Sequence, residues 1–265
     1  MTDKLTRPLY EDQIVVAGEL YGMLSKWQLK NKILESLKDL DSNLSDPERT
    51  LLKVAAINQF YYTNLWAIDK MTEQILRLHI TSKLYNRIPH DDLVEKIALL
   101  KVPEPEDPGQ ISSDNHEGEM PEDPAQHSKP VQKKKRKGSR MHTSFASKFA
   151  HFFISEKSFP IYDTFAIEMV NFHIHHTKRT KDDEHPYRAF CKNIKNLMEW
   201  APLSCSYEEL DRYLWLAGIY KAWVLNKDAK INQEVRALFK EQASEALLKR
   251  LFPYVRKGKQ WILKD

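Results

Sequence analysis

At 265 residues the chain can form one large domain or two small ones, with a substantial buried core. Charge is abundant, glycine is sparse, and no apolar run approaches the length that crosses a bilayer, which sets aside a membrane-spanning reading. The net charge of +4 is mild: it permits nucleic-acid binding without requiring it. The N-terminal MTDKLTRPLYEDQIVV carries acidic residues and no long apolar core, which is not the pattern of a secretory signal. The two cysteines, Cys191 and Cys205, fit small reduced thiols in an intracellular protein better than a disulfide framework.

Apolar residues recur at helical spacing from Leu20 to Leu40, through Leu24, Trp27, Ile33 and Leu37. Ser45-Asp46-Pro47-Glu48 reads as a helix start, with Ser45 or Asp46 as cap, Pro47 early in the helix and Glu48 completing a capping box. Leu51, Leu52, Val54, Ala55 and Ile57 follow. A further apolar face runs from Asn64 to Leu76, and Asp91 to Leu100 predicts another short helix.

Composition then changes. Between Val102 and Arg140, Pro, Glu, Asp, Ser and Gly dominate, and such a segment buries too little surface to offset its ordering entropy. The expectation is a flexible linker over 102–140, acidic first and ending in the basic run Lys133, Lys134, Lys135, Arg136 and Lys137, between an N-terminal helical part (1–101) and a C-terminal helical part (141–265). The linker is read as interrupting one helical unit rather than separating two.

Helical spacing resumes from Thr143 to Val170, TSFASKFAHFFISEKSFPIYDTFAIEMV. Lys148 sits among Phe145, Phe149, Phe152 and Phe153, and Asp163 follows Phe159-Pro160-Ile161-Tyr162 at the start of a second helix. Ala189 to Trp200, Tyr207 to Ala222 and Asn232 to Tyr254 predict the remaining helices. Alternating β-branched runs are scarce, so the predicted fold class is all-α.

An amine and a carboxylate at adjacent helix starts in apolar surroundings suit attack on a sugar carbon. A lysine nucleophile must be neutral, and burial lowers its pKa from about 10.4. A fixed carboxylate stabilises positive charge developing on the sugar where water is excluded. The plain readings compete: Asp163 as an N-cap, worth about 1 kcal/mol, and Lys148 as a surface lysine whose stem covers apolar neighbours.

Two segments together resemble the helix-hairpin-helix DNA glycosylase superfamily, most closely its 8-oxoguanine DNA glycosylase branch. One is SFASKFAHFF…FPIYDTFAIEMV, with Lys148 in the position of the catalytic lysine and Asp163 in that of the aspartate. The other is Tyr61-Tyr62-Thr63-Asn64-Leu65-Trp66 running into a helix. It is similar to the family's asparagine-rich turn, with Asn64 matching and Tyr62 and Thr63 in its other polar positions by substitution. Where the family has Gly-x-Gly before the lysine helix, this chain has Ser144-Phe145-Ala146.

The resemblance implies a helical glycosylase-like architecture and a DNA glycosylase that flips and excises a damaged or modified base, with or without lyase activity, in repair or in defence against modified phage DNA. Its partner would be double-stranded DNA containing that base. It implies Lys148 and Asp163 as catalytic residues, with Asn64, Tyr62, Thr63, Ser144 and Ser147 on DNA. The basic run joins them by neutralising phosphates, and it also has the look of a nuclear import signal. No cofactor, metal or membrane is called for. A monomer in the cytoplasm at the nucleoid, or in the nucleus of a eukaryote, is expected.

Two alternatives stand beside this reading. One is a nonenzymatic helical DNA-binding protein. The other is a HEPN-type ribonuclease, whose Arg-x4-6-His pattern is met from Arg179 to His185 and from Arg136 to His142. His173 and His176 share a helical face, but no carboxylate or cysteine at ligand spacing joins them. Asp211-Arg212 reads as a surface ion pair, and Phe252, Tyr254 or Trp261 as a platform for a flipped base or as core. No phosphate-binding glycine loop, serine elbow or HExxH element occurs.

Overall fold

A computed structural model describes residues 5–80, 88–99, 142–174, 185–226, 229 and 231–264. The expected linker over 102–140, with its basic run Lys133 to Lys137, lies outside the described residues, as do His176 and Arg179. The described chain is all-α apart from one terminal hairpin.

In chain order the helices are α1 (Glu11–Gly22), α2 (Ser25–Leu40), α3 (Pro47–Tyr61), α4 (Ile68–Arg77), α5 (His90–Ala98), α6 (Thr143–Phe153), α7 (Thr164–His173), α8 (Pro186–Trp200), α9 (Tyr207–Leu225), α10 (Gln233–Lys240) and α11 (Glu245–Leu251). Two strands close the chain, β1 (Tyr254–Lys257) and β2 (Gln260–Leu263), antiparallel with Tyr254 opposite Leu263. Gly258 turns between them at φ +60°, a conformation glycine adopts without Cβ penalty.

Local chemistry explains the boundaries. The stretch Leu20 to Leu40 is two helices rather than one. The chain turns at Met23 and Leu24, whose N–H groups donate back to Leu20 and Tyr21, so the apolar stripe restarts in a new direction. Trp27, Leu34 and Leu37 then face inward, while Ile33 and Leu40 are exposed. α3 starts where expected. The cap is Asp46, accepting from Arg49 N at 3.1 Å, and Asp41 rather than Glu48 receives the N–H groups of Ser45 and Asp46. Leu51 and Leu52 are exposed, and Val54 and Ile57 carry the core face. The stretch Asn232 to Tyr254 is likewise not one helix: α10, a short 3-10 turn and α11 divide it before the hairpin.

One contiguous apolar core joins the elements on both sides of residues 100–141. α6 packs on α2, α3 and α5, α8 on α5 and α7, and α9 lies between α1 and α7. Gly218 permits the last of these contacts. A Cβ there would meet Phe165 Cβ at 2.9 Å and the Phe165 carbonyl oxygen at 3.1 Å, so any larger residue would push α7 off α9. No described helix is long and apolar enough to cross a membrane.

Candidate functional site

Lys148 sits at mid-length on α6 and is buried. Its Nζ donates to Ser144 Oγ at 2.9 Å, one turn earlier, and lies 5.8 Å from the centre of the Tyr61 ring. Burial lowers its pKa, and the negative charges of Asp163 and Asp211 partly oppose that fall. A lysine in such a setting gives up its proton more readily than one on the surface.

The crossing from α6 to α7 is pinned by side chains from within. Ser147, fully buried, accepts from Tyr162 N at 3.0 Å. His151 is pushed down to about 4 by burial, so its neutral ring donates Nδ1–H to the Phe159 carbonyl at 2.8 Å. The Tyr187 hydroxyl donates to the Pro160 carbonyl at 2.9 Å. Asp163 therefore arrives in a fixed place. It caps α7, accepting from Ala166 N at 2.8 Å, and also faces a pocket.

That pocket is a cavity of ≈ 70 Å³, room for several waters by the measure that one needs about 10–15 Å³. Tyr21, Trp27, Tyr61, Phe152 and Trp215 wall it. Trp27 and Trp215 meet edge to face with ring centres 4.7 Å apart, and Tyr61 lies 5.4 Å from Phe152. Among the aromatic walls stand Asn31, Glu35 and Lys38 of α2, Glu156 and Asp163 of the crossing, and Glu208, Asp211 and Arg212 of α9. Carboxylates thus outnumber cations around the cavity. Asp211 is held well above the usual carboxylate range, first by burial and then by the negative charge of Asp163.

One family model matches. Described as an N-terminal domain (HI_0787_N), it covers residues 14–113, well under half of the chain. The match includes the pocket wall made by α1, α2 and Tyr61 but not Lys148, Asp163 or Asp211. No curated protein and no solved structure matches.

The structure brings together some of the expected residues. The buried Lys148 lies within electrostatic reach of the half-buried Asp163. Tyr62, Asn64 and Trp66 are exposed on the loop after α3, directly beyond the pocket residue Tyr61. Tyr62 and Asn64 hold positive φ of 49° and 55°. Asn58 ties this loop down, donating to the Leu65 carbonyl and accepting from Leu65 N and from the Thr63 hydroxyl, so Thr63 is engaged inside the loop.

Other expectations are corrected. Ser144, Phe145 and Ala146 form no hairpin: they are the first turn of α6, with Phe145 and Ala146 in the core. Ser147 has no surface to offer a phosphate, and Ser144 is the partner of Lys148. Asp211 and Arg212 are not a surface pair. Arg212 bonds Glu208, and Asp211 faces the cavity. Phe252, Tyr254 and Trp261 cluster with Phe172 instead of lining the pocket. His173 is fully buried, its Nδ1 bonded to the Arg7 carbonyl and its Nε2 to the Tyr213 hydroxyl, which leaves neither nitrogen for a metal. His185 pairs with Glu95 at 2.6 Å.

Most of the pocket lining, Trp27, Asn31 and Asp211 among it, was not expected from the sequence. A signal was present. Glu208, Asp211, Arg212 and Trp215 repeat at i, i+3, i+4 and i+7, as Trp27, Asn31, Glu35 and Lys38 repeat along α2, two polar-and-aromatic helix faces with no solvent-side explanation for the tryptophans.

Proposed function

We propose that this protein is a DNA glycosylase that takes a damaged or modified base out of double-stranded DNA, with Lys148 and Asp163 as its reactive pair. The observation that carries the reading is the burial of Lys148, its pKa lowered by desolvation, within electrostatic reach of Asp163, which lines an aromatic-walled pocket. A base must leave the stack before its glycosidic bond can be reached, and aromatic walls are what a flipped base stacks on. The neutral Lys148 amine forms a bond to the sugar C1′ as the glycosidic bond breaks. The departing base keeps the bonding pair and takes up the proton that the amine sheds, so the exchange needs no outside reagent. Asp163 stabilises the positive charge on the sugar between these events. Ring opening then leaves an imine, from which strand cleavage by elimination can follow. The exposed Tyr62, Asn64 and Trp66 beside Tyr61 fit the face that meets the opened duplex.

The test is a panel of duplexes, each with one damaged or modified base, incubated with the protein and then with borohydride. Excision with a covalent adduct, lost in Lys148→Ala, is the expected result. Excision without an adduct removes the nucleophile role of Lys148, and full activity of Asp163→Asn removes the mechanism.

A nonenzymatic DNA-binding protein is the second reading, favoured by one observation: the residues that would form the phosphate-binding hairpin are helical. It predicts salt-dependent binding that survives loss of Lys148 or Asp163.

A further inference from the structure

The pocket holds polar groups that the reaction above does not use. Among the described residues the Trp27 indole N–H is buried without a hydrogen-bond partner, and so is Asn31 Oδ1, although Asn31 Nδ2 donates to the Tyr21 hydroxyl at 3.1 Å. Turning the amide over exchanges the atoms but still leaves one edge unsatisfied. Asp211 faces the same cavity from α9 and makes no hydrogen bond or ion pair with the described residues. Buried donors and acceptors in folded proteins are nearly always paired, because each one left alone keeps its full desolvation penalty. Two such groups on α2, with the Asp211 carboxyl of α9 on the same lining, are set among aromatic rings and form an incomplete hydrogen-bonding edge.

We propose that Asp211 reads the edge of the base as a neutral carboxylic acid, donating one hydrogen bond and accepting another, with Trp27 Nε1 and Asn31 completing the contact. The ligand class is a heterocycle with a ring nitrogen beside an exocyclic oxygen or amino group, the lactam or amidine edge. A carboxylic acid meets that edge with matched donor and acceptor, whereas a carboxylate offers acceptors only. The neutral form agrees with the desolvation of Asp211 and with the charge of Asp163 on the same cavity lining. Two carboxyls in one pocket thus take different tasks, set by their surroundings. Asp211 binds and selects, while Asp163 meets the sugar. The proposal rests on the base-excision reading for the identity of its ligand, not for the presence of the edge.

The experiment is calorimetric titration of the full chain with free adenine and hypoxanthine against unsubstituted purine, which lacks the exocyclic group. The wild type is expected to bind adenine or hypoxanthine at least about tenfold more tightly than purine, as a site built to pair a polar group rejects the analogue lacking it. Asp211→Asn, which keeps one donor and one acceptor, is expected to retain that discrimination, and Asp211→Leu to abolish it. Thermal unfolding of both variants checks that they fold. Equal affinity of the wild type for purine and adenine, no binding of any base, or an Asn variant as indiscriminate as the Leu variant each overturns the proposal. Excision from the duplex panel without base discrimination removes this inference alone. Discrimination without excision removes the glycosylase reading and leaves a heterocycle-binding pocket.

Discussion

Two aromatic clusters in this protein are built from similar side chains and behave differently. Around Phe172, the rings of Tyr254 and Trp261 pack edge to face and that of Phe252 lies tilted, the Arg7 guanidinium lies 4.4 Å from the Phe172 ring centre, and the neighbouring His173 has both nitrogens bonded. The Tyr213 hydroxyl between them is shared with Gln13, and the Tyr254 hydroxyl reaches the Pro8 carbonyl. Around the pocket, Trp27, Tyr61, Phe152 and Trp215 enclose a cavity, and Trp27 Nε1, Asn31 Oδ1 and the Asp211 carboxyl make no hydrogen bond among the described residues. The first cluster spends its aromatic surface on closing the fold and tying the N-terminal segment to α7. The second gives up stability to keep a space open, which is what a site does when its contacts are completed by a ligand.

Mutations separate the two. Phe172→Ala carries the largest expected loss, about 3–5 kcal/mol of stability, read as the denaturation midpoint. A similar loss from Phe152→Ala, at the half-buried pocket wall, would erase the contrast.

Acid comes next. Burial holds His151 and His173 down to about 4 from an ordinary 6.5, so each contributes stability that is complete above pH 6.5 and lost as pH falls through about 4. At 1.36 kcal/mol per unit the loss is roughly 3 kcal/mol for each ring, and urea unfolding at pH 7 and pH 4 measures it. Replacing His173 by Gln should flatten the profile. An unchanged slope would mean that the ring is not buried neutral.

Gly218→Ala should cost about 1–3 kcal/mol, because the added methyl meets Phe165 where α7 crosses α9. Since these helices carry Asp163 and Asp211, the same change is expected to weaken base binding as well. Stability lost with the pocket unaltered would show that the crossing does not position the two carboxyls.

The smallest effect has the opposite sign. Asp211 has a raised pKa in the fold, so its contribution is present below the usual carboxylate value and lost as pH rises through the raised one. Asp211→Asn should therefore raise the melting temperature at neutral pH, with the gain shrinking toward pH 4. A lowered melting temperature at pH 7 would place Asp211 among the structural groups.

Much of the helical plan could be read from the chain. Asp46-Pro47 announces α3, because proline fits the first helical position and aspartate the cap, and Asp163 announces α7 in the same way. That Lys148 and Asp163 stand in neighbouring segments was legible from the chain. The burial of Lys148 was left open beside a surface reading, since spacing along one helix cannot say which other helices cover it. Asp211 was hidden by its neighbours. Leu210, Tyr213, Leu214 and Leu216 mark α9 as core, and the adjacent Arg212 suggests an ion pair that the structure gives to Glu208 instead. The division of Leu20 to Leu40 into two helices escaped because no proline marks the turn at Met23. The β1–β2 hairpin escaped because two four-residue strands around Gly258 give too short an alternation to stand out.

The central claim is that Lys148 and Asp163 form a reactive pair, with Asp163 on the pocket lining. Borohydride trapping on the duplex panel tests it most directly, with wild type, Lys148→Ala and Asp163→Asn side by side. The account predicts a covalent protein–DNA adduct on at least one damaged duplex, absent in Lys148→Ala and reduced about 100- to 1,000-fold in rate in Asp163→Asn. An adduct that persists in Lys148→Ala, or excision that proceeds at full rate in Asp163→Asn, would contradict it.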